Sequence, residues 1–338
     1  MRRILERGRI EALAGDLPRV RLPEPSKLFA ARAARLRELA GKGAIGHSIA
    51  DYLHLMASLA DAQHRVLEGF VPQALPGDAA IARARKHGMP ILDAAALLGE
   101  RDWQDVLARL CDALETAADP AASPATDQAA GPAADQAASP ATGPAANLPE
   151  TVRAVLQRLR AGSAADLERQ ADAIFRGRSA EVDLAAAPFV MAALQVRAAA
   201  LASRLPREAV EGAGAPGVCP VCGTLPVASV VREDGASQGR RFLHCALCAT
   251  EWHLVRVTCS HCHSTQGISY RSIDGGPDAI RAECCNGCRT YRKILYQEED
   301  ERVEAVADDL ASLALDLLLA EAGYHRAVGN PLLWTGAA

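Results

Sequence analysis

Aromatic residues are scarce in this 338-residue chain, at 4% of the total, so its core must be built mainly from aliphatic side chains and alanine. No apolar run is long enough to span a bilayer: the longest, near Leu184, is interrupted by Pro188. Charge of one sign is also missing. A net charge of −4 gives no global attraction to nucleic acid or anionic lipid, so binding to either would need a local patch. There is no P-loop, no dinucleotide fingerprint and no nucleophile–base triad. The opening "MRRILERGRIEAL" puts Glu6, Arg7 and Arg9 where an export signal carries its apolar region, which gives the expectation of a cytoplasmic protein. Cysteine is almost absent outside one region: nine of the ten lie between Cys219 and Cys288, and Cys111, on a helical stretch, reads as a core thiol. In a chain without an export signal, such clustering indicates metal ligation rather than disulfides.

Most of the remainder reads as helix. From Ser26 to Glu68 apolar residues recur at helical spacing, with Ile49, Tyr52, Leu53, Met56, Leu59 and Ala60 on one stripe. His54 and His64 lie there without ligand partners at suitable spacing and are read as surface or core histidines. Thr151 to Leu205 is helical again, in "AVLQRLRAG" and "APFVMAALQVRAAALASRL", with Pro188 expected in a first turn. Between these parts lies "DPAASPATDQAAGPAADQAASPATGPAA", residues 119–146. Its repeated prolines forbid a continuous helix, and it has no side chain large enough to offset ordering entropy, so it is expected to be a disordered linker. After the cysteines, Val303, Val306, Leu310, Leu313, Leu317 and Leu318 fall on one face of an expected closing helix that Gly323 would stop.

Eight cysteines form four C-x-x-C pairs: Cys219/Cys222, Cys245/Cys248, Cys259/Cys262 and Cys285/Cys288. Moving the first two pairs forty residues along superposes them on the last two. Ser229 then meets Ser269, Asp234-Gly235 meets Asp274-Gly275, and Thr250 meets Thr290, which defines a tandem repeat. Two residues between cysteines let both thiolates of a pair reach one ion, and two pairs complete a tetrahedron. The 22 residues between pairs within each half suffice for strand, turn and strand, with the Asp-Gly steps as turns. Each half is therefore expected to hold its own metal, with "EWHLVRV" joining them. Four-thiolate geometry suits zinc and rubredoxin-type iron equally. With four sulfurs per ion already supplied, His244, His253, His261 and His263 are left as spectators. Cys284, beside a ligand, is expected to point away as a bystander.

From Cys219 to Gln297 there are nine Lys/Arg and six Asp/Glu. Two divalent four-thiolate centres, each contributing −2, bring the region to about −1, which offers phosphate no footprint. Closed four-sulfur sites leave no coordination position for water or substrate, so no enzyme is expected. Phe242, Trp252, Tyr270, Tyr291 and Tyr296 concentrate in the ribbons, as small cores or as partner anchors.

The series "CPVCGTLPVASVVR", "RFLHCALCATEWHLVRVTC", "YRSIDG", "AIRAECCNGCRTYRKILYQ" and "VADDLASLALDLLL" resembles the formate dehydrogenase accessory protein family, FdhE; "LFAARAARLRELA" and "DYLHLMASLADAQH" resemble its helical region. The resemblance implies a non-enzymatic cytoplasmic factor that binds the catalytic subunit of respiratory formate dehydrogenase before export and is needed for its activity. It also implies iron in two rubredoxin-like sites at Cys219, Cys222, Cys245, Cys248, Cys259, Cys262, Cys285 and Cys288, with zinc as the alternative metal. No role passes to Cys284, where the family pattern is expected to have another residue. The alternative function is a redox or nucleic-acid-binding ribbon. Neither nucleic acid nor membrane is expected as a partner, and Trp252 is the candidate anchor for the client. The expected fold is an α+β multidomain chain: helical domain (1–118 and 150–213) interrupted by a linker (119–149), two tandem rubredoxin-like or zinc-ribbon modules (214–256 and 257–299) and a C-terminal helix (300–326).

Overall fold

The computed structural model describes residues 18–41, 49–72, 75–92, 97–98, 101–118 and 148–334; the Ala/Pro tract at 119–146 and the opening segment lie outside the described residues. Helices α1 (Pro25–Gly41), α2 (Ala50–Glu68), α3 (Asp78–Lys86), α4 (Asp102–Ala118), α5 (Glu150–Ala161), α6 (Ala164–Phe175) and α7 (Ala187–Ala202) form the helical part. α6 starts at a capping box in which Ser163 Oγ accepts from the Asp166 amide and the Asp166 carboxylate accepts from the Ser163 amide. Pro188 occupies the first turn of α7, where its missing N–H costs nothing. α7 is buried at every position except Met191, because its many alanines let α2, α4 and α6 approach from several sides.

A short turn of helix, α8 (Arg207–Val210), leads into the cysteine region. The first repeat forms β2 (Pro226–Arg232), β3 (Arg240–Cys245) and β4 (Glu251–His253); the second forms β5 (Ile268–Arg271), β6 (Ile280–Cys285) and β7 (Thr290–Tyr296). Each is an antiparallel meander. β2 and β7 then pair in parallel, Ser229 opposite Ile294 and Val231 opposite Tyr296, so the meanders join head to tail in one sheet. β1 (Val20–Arg21), from the start of the described chain, pairs with β4 and covers that edge, Val20 opposite Trp252. β8 (His325–Arg326) pairs with β7. The stretch "EWHLVRV" is only partly a connection, since Glu251–His253 is the third strand of the first meander.

The expected single closing helix is two segments, α9 (Ala305–Ala311) and α10 (Leu313–Glu321), and this corrects the face read from the sequence. At the break, Ser312 Oγ donates to the Asp308 carbonyl at 2.6 Å, and the Ser312 carbonyl accepts from Lys293 Nζ at 3.1 Å. Beyond the break the phase shifts. Leu315 and Leu319 turn inward, while Leu317 is 68% exposed and Leu318 50%. α9 lies against α1 and β2, tied by Arg32 to Glu304 at 3.1 Å and by Arg35 to Asp308 at 2.6 Å, all nearly buried.

Candidate metal centres

All eight paired cysteines converge as their spacing requires. Cys219, Cys222, Cys245 and Cys248 form one group, and Cys259, Cys262, Cys285 and Cys288 the other, with the sulfurs of each group within 4.8 Å of one another. In the first, Cys219 Sγ lies 3.5 Å from Cys248 and Cys222 3.4 Å from Cys245; in the second, the Cys259–Cys288 and Cys262–Cys285 distances are both 3.7 Å. A tetrahedron with metal–sulfur arms of about 2.3 Å has edges of about 3.8 Å, so both groups fit a four-thiolate ion. They are too far apart for disulfides.

Each pair sits in the same turn. The amides of Cys219, Cys245 and Cys259 donate to the carbonyls of Thr224, Thr250 and Ser264 at 2.9–3.0 Å. The residue after each pair takes a left-handed backbone: Gly223 (φ 74°), Ala249 (57°), His263 (61°) and Arg289 (59°). Three of the four thus bear side chains in a region that side chains ordinarily avoid, a strain the turn must overcome. The turns aim N–H groups at sulfur. Cys245 Sγ accepts from Leu247 and Cys248 at 3.3 Å, and Cys259 Sγ from His261 and Cys262 at 3.4 Å. Such donors stabilise thiolate over thiol.

One set of supporting residues escaped the reading of spacings. The second position after each pair is always a hydroxyl residue: Thr224, Thr250, Ser264, Thr290. Three of these reach sulfur, Thr224 at 2.9 Å from Cys245, Thr250 at 3.1 Å from Cys248 and Thr290 at 2.8 Å from Cys288. The sequence signal for these residues is C-x-x-C-x-[ST], of which the Thr250/Thr290 match is the part that the forty-residue repeat displays.

The centres differ in surroundings. All four cysteines of the first are buried, and α7 reaches it directly: Gln195 Nε2 donates to the Ala246 carbonyl at 2.8 Å while Gln195 Oε1 accepts from Gln63 at 3.1 Å. Burial pushes the Cys219 and Cys248 thiols up, so an ion entering there must displace protons from a dry site. In the second centre Cys262 is exposed and Cys288 partly so. Beside it, the buried Arg241 joins both repeats, donating to Ser229 Oγ at 3.2 Å, to the Thr258 carbonyl at 2.9 Å and to Glu283 at 3.0 Å. Burial pushes the neighbouring Arg292 guanidinium down to about 9, although it donates to Ser260 Oγ at 2.7 Å. Gly217, just before the first centre, meets the second: a Cβ there would stand 2.7 Å from the Ser260 carbonyl and 2.9 Å from the His263 ring, so only glycine fits.

A chelator test follows from the unequal exposure. With metal loaded, 4-(2-pyridylazo)resorcinol is expected to take about one equivalent from the second centre at least roughly tenfold faster than from the first, whose opening requires unpacking of α7. Equal release rates would show that burial does not control access.

Trp252 is not a surface anchor. It is 5% exposed, its indole N–H donates to the Pro216 carbonyl at 2.8 Å, and β1 lies beside its strand. Phe242, Tyr291 and Tyr296 are buried too, whereas Tyr270 is 39% exposed with its hydroxyl on Glu283 at 3.0 Å. Cys284 is buried away from the sulfur group, its thiol pushed up to about 11 by burial, and Cys111 is a core thiol in α4 with the same shift. His244 holds Glu251 at 3.1 Å, His253 stacks edge-on against Phe242, and His261 and His263 are exposed; none joins either sulfur group. Among the described residues no helix is long and apolar enough to cross a membrane.

Known proteins match this architecture along nearly its whole length. Family models described as FdhE N-terminal, central domain and C-terminal domain match residues 17–143 with 141–214, 218–256 and 257–333. "Protein FdhE" of Salmonella paratyphi A is 38% identical over 98% of this chain and 96% of its own. "Protein FdhE homolog" of Cronobacter sakazakii is 40% identical over 95% and 92%. The crystal structure of the FdhE protein from Pseudomonas aeruginosa superposes with a TM-score of 0.76 at 34% identity, covering 95% of this chain and all of that one.

Proposed function

Because the chain belongs to the FdhE family, we propose that it is an accessory factor in the cytoplasm that binds the catalytic subunit of respiratory formate dehydrogenase and is required for that enzyme's activity. The observation that carries this reading is the convergence of all eight paired cysteines into two groups within a match running the length of the chain. Each group holds one ion, iron in the family pattern with zinc as the alternative; such an ion cross-links the turns and, as iron, could also exchange single electrons. Four sulfurs fill each coordination shell, so no position remains for bond-making at substrate, and the role is not catalytic.

This chain's own residues shape a rigid surface. The turn amides and Thr224, Thr250 and Thr290 hold sulfurs in place, Arg241 locks one repeat to the other, and Gln195 fixes the first centre to the helical part. In cells lacking the protein, formate-dependent dye reduction is expected to fall to background and to return with the full chain, and the tagged chain is expected to retain the catalytic subunit. Retention of nucleic acid instead, lost with salt, would overturn the reading. Protein purified without oxygen is expected to carry about two equivalents of iron, by elemental analysis and absorption; two of zinc would decide for the alternative metal.

A further inference from the structure

An apolar cavity of about 650 Å³ opens between the helical part, the first centre and the C-terminal segment. One wall is the metal turns themselves, including Cys222, Thr224 and Leu247; Phe175 and Met191 come from the helical side, and Trp334 from the C-terminal segment. Pro90 lines it and also a second hollow of about 400 Å³ that runs on beneath α3. The two hollows therefore adjoin at Pro90 and together make up the groove. The second has Arg83 and His87 on its rim, and Leu75 and Met89 stand beside it 45% and 52% exposed.

The second chamber is cationic at its rim as well as apolar. Among the described residues neither chamber is lined by a carboxylate. The last turn of α3 carries Arg83, Arg85 and Lys86, all exposed and none in an ion pair with another of the described residues, and the one acid of that helix, Asp78, is at its opposite end. Successive apolar chambers take alternate or i, i+3/i+4 side chains of a polypeptide segment, and unpaired cations at the rim select acidic flanks.

We propose that this groove is the docking site for a segment of the client polypeptide that is apolar and flanked by aspartate or glutamate. The proposal rests on the accessory-factor reading above and places its contact surface. It also gives the first metal a specific task. Gly223 has φ +74°, and a Cβ there would stand 2.8 Å from Pro90, so the metal turn and the groove's shared wall are in direct contact. Closing the first centre thereby sets the groove's shape.

The photocrosslinker p-benzoylphenylalanine, placed at Met89 of the full chain in cells making the formate dehydrogenase catalytic subunit, tests this. Placement at Leu317, exposed on α10, serves as the comparison. A crosslink from Met89 to the catalytic subunit is expected, mapped by mass spectrometry to an apolar segment with acidic neighbours. The double change Arg83→Glu with Lys86→Glu should lower its yield about tenfold while leaving metal content unchanged. A client crosslink from Leu317 alone would leave the accessory reading standing and remove the groove from it. Crosslinks from Met89 to lipid, to a second copy or to a segment without acids would overturn the proposal, as would a yield indifferent to the charge reversal. Absence of any client crosslink together with absence of client co-purification would sink the accessory reading itself.

Discussion

Cys219→Ser is expected to leave about one equivalent of metal and to lower the melting temperature by at least about 10 °C. Ion binding to a structural four-ligand site is worth on the order of 10 kcal/mol of folding free energy at neutral pH, comparable with the whole stability of a domain. Losing most of that would move the transition by this amount in a chain of this size. The site makes the cost large: all four sulfurs are buried, and the turn they close supports the Gln195 bond to Ala246. Without the ion, three thiols and a serine hydroxyl would remain packed in a dry site with no shared charge to hold them together. Cys259→Ser should also remove one equivalent, but at smaller cost, because its centre has an exposed sulfur and can admit water. Elemental analysis and calorimetry on both variants decide the matter. If either single change emptied both centres, the ligands would be shared between repeats and the assignment of one ion to each would fail.

Arg35→Ala should destabilise the chain by about 3–5 kcal/mol, the usual cost of removing one partner from a buried ion pair. Arg35 is nearly buried in α1 and donates through Nε and Nη2 to Asp308 of α9, while Nη1 lies 2.9 Å from Asp300 and 3.1 Å from Glu38. Asp308 has no exposure of its own, and burial already pushes its carboxyl up even with the guanidinium present. Removing Arg35 raises it further. A carboxyl whose folded pKa lies above its unfolded value incurs no penalty when both states are protonated, and loses stability as pH rises through the folded value. The deficit of the variant should therefore be largest near neutrality and shrink as pH falls toward the ordinary carboxylate range. Denaturant unfolding at neutral pH and near pH 4 measures this. Arg35→Met combined with Asp308→Leu should recover much of the loss, whereas a deficit independent of pH would show that Arg35 acts through packing alone.

The metal centres were legible in the sequence because their determinants are local. Two residues between cysteines fix a turn, 22 residues allow a return strand, and the forty-residue offset separates one group from the next, so the division of the eight cysteines into two groups followed from spacing. The helical character of 25–41, 50–68, 150–161, 164–175 and 187–202 was legible for the same reason: periodicity reports the face a segment buries. Where the reading missed, a distant contact decided the outcome. Leu317 and Leu318 fit the helical stripe, but Ser312 breaks the helix where its carbonyl accepts from Lys293 on β7, and the stripe turns outward. Trp252 had the composition of a partner anchor, yet β1 pairs with its strand from more than two hundred residues away, and Pro216 takes its N–H.

By itself, then, the sequence determined which atoms could hold metal and how they are divided between two centres, because chelation by adjacent turns depends on chain spacing alone. Only the tertiary structure decided that the two repeats join head to tail through β2 and β7, that the first centre is buried under α7 while the second opens to solvent, and that an apolar hollow opens against the first. Those properties arise where segments far apart in the chain meet, and burial, access and cavity shape are set by packing between them rather than by any local pattern.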